Sequence, residues 1–170
     1  MKKFIISSFV FFVLSATGCA QTKSSTNSSA VQSNQESVDG SSIDQKKARE
    51  FSDSVVKAII EDREKELRQK MEQAFQDYYS EKDMKPLLER IYSAYGKPLE
   101  VEFKKDAVGY KIYDTGERKP MRKFWYAVKT TKQDEERRFL FTEIVPNGEA
   151  LACVGFSIVT FSQGIPPDLR

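Results

Sequence analysis

The sequence contains no histidine, the side chain that most often transfers protons near neutral pH and the commonest ligand of transition metals. This absence excludes Ser-His and Cys-His nucleophile pairs. Only two cysteines occur, Cys19 and Cys153, so a framework of several disulfides is excluded. The 27 basic side chains nearly balance the 25 acidic ones, and a net charge of +2 is too small to indicate a nucleic-acid partner.

Sequence motifs for phosphate binding, metal binding and nucleophilic catalysis are also lacking. The chain has no glycine-rich phosphate loop, no paired metal-ligand motif and no nucleophile elbow. We therefore predict no catalytic residue, no metal and no cofactor. Cys153 lies in the apolar segment ALACVGF, which favours a buried and unreactive thiol, since a reactive thiol needs a basic and partly exposed setting.

The N-terminus has the pattern of an export signal. Two lysines at positions 2 and 3 precede an apolar stretch of about eleven residues, Phe4 to Leu14. A helix that spans a membrane needs roughly 20 residues, so this stretch is too short for a permanent span. Small residues follow at positions 16–18, as a signal peptidase requires near its cleavage site.

The next residues, ATGC at positions 16–19, resemble the lipobox of bacterial lipoproteins, although that family usually has Leu where this chain has Ala16. The resemblance implies that Cys19 is acylated and becomes the first residue of the mature protein. Several acyl chains would hold the protein stably on a membrane. Because Ala20 is not Asp, the resemblance also implies outer-membrane sorting in a host with two membranes. The alternative is an ordinary secretory signal, cut near Ala16 or Ala20, which would leave a soluble protein.

A polar segment separates this signal from the rest of the chain. Residues 20–42 are mostly Ser, Thr, Asn and Gln, and they bury too little apolar surface to offset the entropy of ordering. We predict a disordered linker with an r.m.s. reach of roughly 25–30 Å. The predicted organisation is a signal peptide at 1–18, the lipidated Cys and linker at 19–43, and one folded domain at 44–170.

The first half of the predicted domain is helical. The segment SIDQ, residues 42–45, has the form of a capping box, and neither Gly nor Pro interrupts residues 45–79. Apolar side chains recur along this stretch at helical spacing, with a bend allowed before Leu67, and charges occupy the opposite face. A second helix is predicted up to Tyr95, where Gly96 and the proline at position 98 end it.

Aromatic and β-branched residues dominate the second half. Five segments are predicted to form strands: LEVEFK, VGYKIYD, RKFWYAVKTT, RRFLFTEIV and ALACVGFSIVTF. Their short connections favour an antiparallel meander of about four to five strands. The last segment is apolar on both alternating sets, which predicts a strand that is central or packed under the helices. Helices followed by antiparallel strands predict an α+β fold.

A helix that ends in Gly and turns directly into a strand, IYSAYGKPLEVEF, resembles part of the cystatin-like family, which includes nuclear-transport-factor-two-like domains. The resemblance covers residue 44 to about residue 162 and concerns architecture. It implies N-terminal helices packed on a curved antiparallel sheet, often with a pocket between helix and sheet.

The chain has candidate residues for such a pocket. Asp106 or Glu143 could supply an acid beside four aromatic side chains, namely Tyr110, Tyr113, Trp125 and Tyr126. Some pocket enzymes of this fold class use Tyr and Asp, so an isomerase-like activity is not excluded. The alternative is that these aromatic residues pack in the core or on the sheet faces.

A basic cluster lies in the segment GERKPMRK. It comprises Arg118, Lys119, Arg122 and Lys123, which could contact acidic lipid headgroups or an acidic partner. The alternative is an exposed hairpin that its charges protect.

Two functional hypotheses follow. The first is a membrane-anchored envelope lipoprotein with a non-catalytic binding or scaffolding domain, whose partners are the membrane, through Cys19, and another envelope protein. The second is a small-ligand-binding or weakly enzymatic pocket protein of the same fold. A pocket protein would have a closed cavity with a buried acid among aromatic side chains, whereas a scaffold would have a filled interior and an exposed apolar patch.

Overall fold

The computed structural model describes residues 43–161, except residues 133 and 135. The predicted signal peptide, Cys19 and all but the last residue of the predicted linker lie outside the described residues. That last residue, Ile43, is buried and belongs to the hydrophobic core. The core therefore includes a residue that the sequence assigns to the linker.

Four helices come first: α1 Gln45–Ile60, α2 Glu64–Lys70, α3 Gln73–Tyr78 and α4 Glu81–Tyr95. The apolar stripe predicted along residues 45–79 is thus divided among three helices. Asp62 marks the first break, because its backbone adopts a positive φ of 52°, which a right-handed helix does not contain. Its carboxylate forms an ion pair with Lys97 and accepts a hydrogen bond from the Tyr92 hydroxyl, so the break also joins α1 to the end of α4.

The helix ends are capped by local side chains. The carboxylate of Asp44 accepts a hydrogen bond from the backbone N–H of Lys47 at 2.8 Å and caps α1, whereas the predicted capping box used Ser42, which lies outside the described residues. A capping box of Ser80 and Asp83 starts α4. Gly96 ends α4 with a positive φ of 83°, as predicted.

Four strands follow: β1 Pro98–Ile112, β2 Arg118–Thr130, β3 Arg137–Asn147 and β4 Ala150–Phe161. They form one antiparallel sheet in the order β1-β2-β3-β4, so each strand pairs with its neighbours in the chain. The described residues therefore have the predicted α+β class and the predicted antiparallel meander.

β1 combines two segments that the sequence predicts to be separate strands. The residues between those segments, 105–107, pair with β2 and form no turn, and a bulge lies just before them at Lys104. Phe103 is opposite Tyr126 and Lys105 is opposite Trp125, so the register skips Lys104. A bulge moves the residues that follow it to the other face of the sheet relative to strict alternation.

The bulge determines on which face of the sheet the side chains of residues 105–112, the far half of β1, lie. Beyond it, the residues at positions 108, 110 and 112 are opposite Arg122, Pro120 and Arg118 of β2. These β2 residues lie on the same face as Tyr126, because they are separated from it by even numbers of residues. This face packs against the helices and is called the helix face here; the opposite one is the outer face.

β4 is an edge strand, so the prediction of a central position is wrong. The other predicted option, packing under the helices, is confirmed, since β4 contacts α1, α2 and α4. Part of its free edge is occupied as well: Met71 forms a bridge with Cys153, whose carbonyl accepts a hydrogen bond from the Glu72 N–H at 2.9 Å. Helices and this bridge, in place of a further strand, account for the apolar composition of β4.

The space between the helices and the sheet is filled. α1 contacts all four strands, and α2 packs between α1, α4 and β4. The largest core side chains come from both layers and include Ile59, Leu67, Met84, Leu88, Phe124, Tyr126, Leu140, Ile144 and Ile158. Among the described residues, no helix combines the length and the apolar character needed to cross a membrane.

Candidate functional site

A groove between α1 and β1 is the first candidate site. It has a volume of about 430 Å³ and is called the α1–β1 groove. Its walls include Arg49, Asp53, Val56 and Ile60 of α1 and Val101 and Phe103 of β1. A smaller cavity of about 260 Å³ continues it on the other side of Arg49, next to Gln45 and Asp106. Both cavities are open to solvent.

Arg49 is held in a defined orientation at the polar end of this groove. Its guanidinium carbon lies 3.4 Å from the centroid of the Phe103 ring, which is a close cation–π contact. Its Nε donates a hydrogen bond to Asp53 Oδ1 at 2.8 Å. The spacing of four residues in α1 places these two side chains on one side of the helix. Stacking and the ion pair together fix the plane of the guanidinium.

A chain of buried hydroxyl groups fixes Asp53 in turn. The Tyr126 hydroxyl donates to Asp53 Oδ1 at 2.8 Å, and Ser52 Oγ lies 2.6 Å from both the Tyr126 hydroxyl and Thr142 Oγ1. Since a carboxylate only accepts, the Ser52 hydroxyl must donate to Tyr126 and accept from Thr142. Ser52, Tyr126 and Thr142 are all buried. Burial, together with the nearby Asp53 carboxylate, raises the pKa of Tyr126, so its phenol stays protonated and remains a donor.

This arrangement is suited to recognition. It presents a charged, planar donor group with fixed orientation, supported by neutral hydroxyls that extend into the core. The Asp53 side chain is 49 % exposed, so it is not the buried acid that a pocket enzyme of this fold would need.

The four aromatic side chains predicted to line a pocket do not meet at one place. Tyr126 alone belongs to the α1–β1 groove. Trp125 is its neighbour in β2 and lies on the outer face, with its ring centroid 5.2 Å from that of Phe141. Tyr110 lies in the exposed far half of β1, and the Tyr113 hydroxyl donates to the Glu72 carboxylate at 2.7 Å.

The two predicted acids are engaged in ion pairs on opposite faces of the sheet. Asp106 accepts hydrogen bonds from Arg122 at 2.6 Å and from Gln45 at 3.1 Å. Glu143 pairs with Lys123 at 3.1 Å on the outer face. The acid that lines the α1–β1 groove is Asp53, which is not among the acids predicted from the sequence. The buried Ser52 within the apolar stripe of α1 is the signal that could have drawn attention to it.

The basic cluster is divided between the two faces of β2. Arg118 and Arg122 lie on the helix face, and Lys119 and Lys123 on the outer face. Each has a partner from this chain: Arg118 stacks on Tyr110, Lys119 pairs with Glu72, Arg122 with Asp106 and Lys123 with Glu143. The four cations therefore do not form one exposed basic surface.

A second candidate site is a row of exposed apolar side chains on β1. It comprises Val108, Tyr110 and Ile112 and is called the β1 stripe. Ile112 is 63 % exposed and Val108 is 50 % exposed. The β1–β2 pairing continues to Ile112, whereas the β2–β3 pairing ends at Arg122, so the stripe lies on a two-stranded arm. Within the described residues, no strand pairs with the outer edge of β1.

Within the described part of the chain, Cys153 is the free thiol. Cys153 is fully buried, and burial raises the pKa of its thiol to about 12, so the thiolate is scarce at neutral pH. Among the described side chains, no group of three or more Cys, Asp or Glu is placed to hold a metal ion.

Comparison with known proteins identifies no relative whose function could guide the interpretation of these sites. No protein-family model, no curated protein and no solved structure matches this chain.

Proposed function

We propose that this protein is a lipid-anchored envelope protein whose folded domain binds another envelope protein and catalyses no reaction. The observation that carries this proposal is the β1 stripe, where three apolar or aromatic side chains on one face are exposed to solvent. Exposed apolar surface of this kind is typical of interaction sites.

The position of the stripe favours one mode of binding. β1 lies at an edge of the sheet, where backbone N–H and C=O groups are open to a further strand. An extended segment of the partner would pair with this edge, and its alternating apolar side chains would contact Val108, Tyr110 and Ile112. The proposed partner is therefore a protein with an extended, alternately apolar segment.

The interior favours this function over an enclosed ligand pocket. Large side chains from both layers fill the space between helices and sheet, and the cavities beside α1 are open. The predicted aromatic side chains and acids do not converge, and the fixed hydroxyl chain ends on an exposed carboxylate. A weakly enzymatic pocket, the second hypothesis, is less favoured because Asp106, the most buried of these acids, is held in an ion pair with Arg122.

The fold is proposed to be cystatin-like. Support comes from a long helix, α1, that lies across all four strands of an antiparallel meander, and from α4, which leads through Gly96 directly into β1. A refined experimental structure tests this proposal: the curvature of the sheet around α1 is the feature to be compared.

The anchor is proposed to be an acyl group on Cys19, on the basis of the lipobox resemblance, with residues 20–42 as a tether. In a host with two membranes, Ala20 favours the outer membrane. Because the cations of the β1–β2 arm pair with acids of the same chain, we expect electrostatic attraction to contribute little to membrane binding. Cys19→Ser should therefore release the protein from membranes, whereas high salt should not. Equal fractionation of the wild type and Cys19→Ser would contradict the anchor.

Site-specific photo-crosslinking in intact cells tests the partner surface. A photoreactive amino acid at position 112 should give a discrete crosslinked species, because the β1 stripe contacts one partner. The matched control is position 78, since Tyr78, like Ile112, is a large and exposed side chain, at 74 % exposure, but lies on α3. The same crosslinks at both positions, or none at position 112, would refute the proposed surface.

A further inference from the structure

The Arg49 guanidinium uses its Nε in a hydrogen bond within the chain, whereas the edge formed by Nη1 and Nη2 remains available to a ligand. Its Nε donates to Asp53, while neither terminal nitrogen, Nη1 or Nη2, makes a hydrogen bond with any residue that the structure describes. Two parallel N–H donors on one edge of a guanidinium match the two oxygens of a carboxylate. The open edge is therefore a donor pair for which the described chain has no acceptor.

The environment of Arg49 prepares this edge for binding. The Phe103 ring stacks against one side of the guanidinium, and the Asp53 carboxylate sets its rotation. Asp53 itself is positioned by the buried chain of Tyr126, Ser52 and Thr142. A donor pair that is already oriented loses little conformational freedom when a ligand binds, and this increases affinity.

Beyond Arg49 and Asp53, several of the side chains that line the α1–β1 groove are apolar. Val56, Ile60 and Val101 line it next to Phe103, and its volume of about 430 Å³ lies in the range typical of small-molecule sites, roughly 300–1,000 Å³. Lys57 and Glu61 also line the groove and form an ion pair with each other at 3.9 Å. A ligand that reaches along the groove from Arg49 would therefore place carbon atoms against aliphatic side chains.

We infer that the α1–β1 groove binds a monocarboxylate with a short apolar tail, with the carboxylate on the Nη1/Nη2 edge of Arg49 and the tail against Val56, Ile60 and Val101. A single negative charge fits because Asp53 already neutralises part of the Arg49 charge, so a phosphate dianion would be repelled. This inference goes beyond the proposed function, since the groove is separate from the β1 stripe and does not depend on it.

The carboxylate of the ligand could belong to either of two classes of molecule, a free aliphatic acid or a polypeptide with a free C-terminus. Both present the same planar group followed by apolar carbon atoms. Two probes distinguish them: hexanoate, and a short peptide that ends in Leu with a free carboxylate. Their matched controls are hexanamide and the same peptide with a C-terminal amide, which keep the shape but lose the charge.

The experiment is an NMR titration of the isotopically labelled full chain. Hexanoate should shift signals of Arg49, Ile60 and Phe103. Its affinity should exceed that of butyrate by up to about 15-fold, as two further buried methylenes allow. Hexanamide and inorganic phosphate should not bind. Binding of the free-acid peptide with affinity at least equal to that of hexanoate identifies a chain terminus as the source, and weaker binding identifies a free acid; either result supports the site.

Variants test the role of the guanidinium. Arg49→Gln should raise the Kd of hexanoate at least tenfold, because a charge-assisted hydrogen-bond pair is lost. Arg90→Gln is the matched control, since it removes the same charge from an exposed position of α4 and should leave the Kd unchanged. If Arg49→Gln fails to fold, Arg49→Lys keeps the charge and loses the planar fork, and the Kd should still rise severalfold.

Three results would overturn the inference. They are equal binding of hexanoate and hexanamide, equal Kd values for Arg49→Gln and Arg90→Gln, or hexanoate shifts confined to residues away from the groove. Val108→Lys, with the photoreactive amino acid kept at position 112 for the crosslinking assay, separates this inference from the proposed function. It removes an apolar side chain from the β1 stripe and should abolish the partner crosslink while leaving hexanoate binding intact.

Discussion

Arg122 provides the sharpest test of whether the basic segment serves binding or folding. Its Nη1 donates to Asp106 Oδ2 at 2.6 Å, and its Nε donates to the Ile43 carbonyl at 3.0 Å. Gln45 donates to the other oxygen of the same carboxylate. These contacts connect the residues at the start of α1 to both β1 and β2. Arg122→Gln should therefore destabilise the domain, whereas loss of a surface cation would not.

The size of the effect follows from burial. The side chains of Arg122 and Asp106 are only 10 % and 15 % exposed. Removing one partner of a buried ion pair costs about 3–5 kcal/mol, and the residual exposure of this pair reduces the expected loss for Arg122→Gln to about 3 kcal/mol. Asp106→Asn should cost less, about 1–2 kcal/mol, because the amide oxygen still accepts a hydrogen bond. The double variant should lose less than the sum, since neither charge is then left unpaired.

Urea denaturation followed by tryptophan fluorescence measures these differences. Trp125 is the only tryptophan and lies in β2, three residues from Arg122, so its signal reports on the sheet. Arg118→Gln is the control: Arg118 is exposed and stacks on Tyr110, so its loss should cost less than about 1 kcal/mol. Equal stability of Arg122→Gln and Arg118→Gln would refute a structural role for Arg122.

Two further predictions concern buried and crowded positions. Cys153 has a folded-state pKa raised from 9.0 to about 12, so the thiol contributes stability below pH 9 that is lost as pH rises from 9 towards 12. The stability difference between the wild type and Cys153→Ala, about 1 kcal/mol at pH 7, should accordingly shrink or reverse by pH 10.5 in denaturant titrations; a constant difference would contradict the assigned burial. Gly96→Ala should cost about 3 kcal/mol, because the φ of 83° is unfavourable for Ala and an added Cβ would lie 2.7 Å from Thr130 Oγ1 and 2.9 Å from the Lys132 backbone nitrogen. Gly116→Ala, at the same φ with no atom within 4 Å, should cost only about 1 kcal/mol, and equal losses for the two variants would show that the close approach at Gly96 is unimportant.

The fold class could be predicted from sequence because it depends on local patterns. Helical spacing in the first half and β-branched and aromatic residues in the second are properties of short windows, and so is the stop at Gly96. The bulge at Lys104 was not predictable, since the polar residues around it resemble those of a turn. The edge position of β4 was missed for a similar reason: an apolar strand can be covered by helices as well as by neighbouring strands.

The candidate site was less predictable because it depends on register. Trp125 and Tyr126 are adjacent in the chain, yet they lie on opposite faces of the sheet, so a list of aromatic residues could not show which of them share a pocket. The acid that Tyr126 contacts, Asp53, lies 73 residues earlier in the chain. No local pattern relates the two, and only the packing of α1 on β2 brings them together.

The bulge in β1 links the two proposed sites. Without the skipped residue at Lys104, the side chains of Val108 and Ile112 would project from the outer face, away from Phe103 and the α1–β1 groove. With it, the groove and the β1 stripe lie on one face of one edge strand. Neither the open edge of Arg49 nor the exposed apolar carbons of the stripe contributes to the core. Phe103 of β1 stacks on Arg49 of α1, and Val108 and Ile112 lie farther along the same strand, so the bulge places both candidate surfaces along β1.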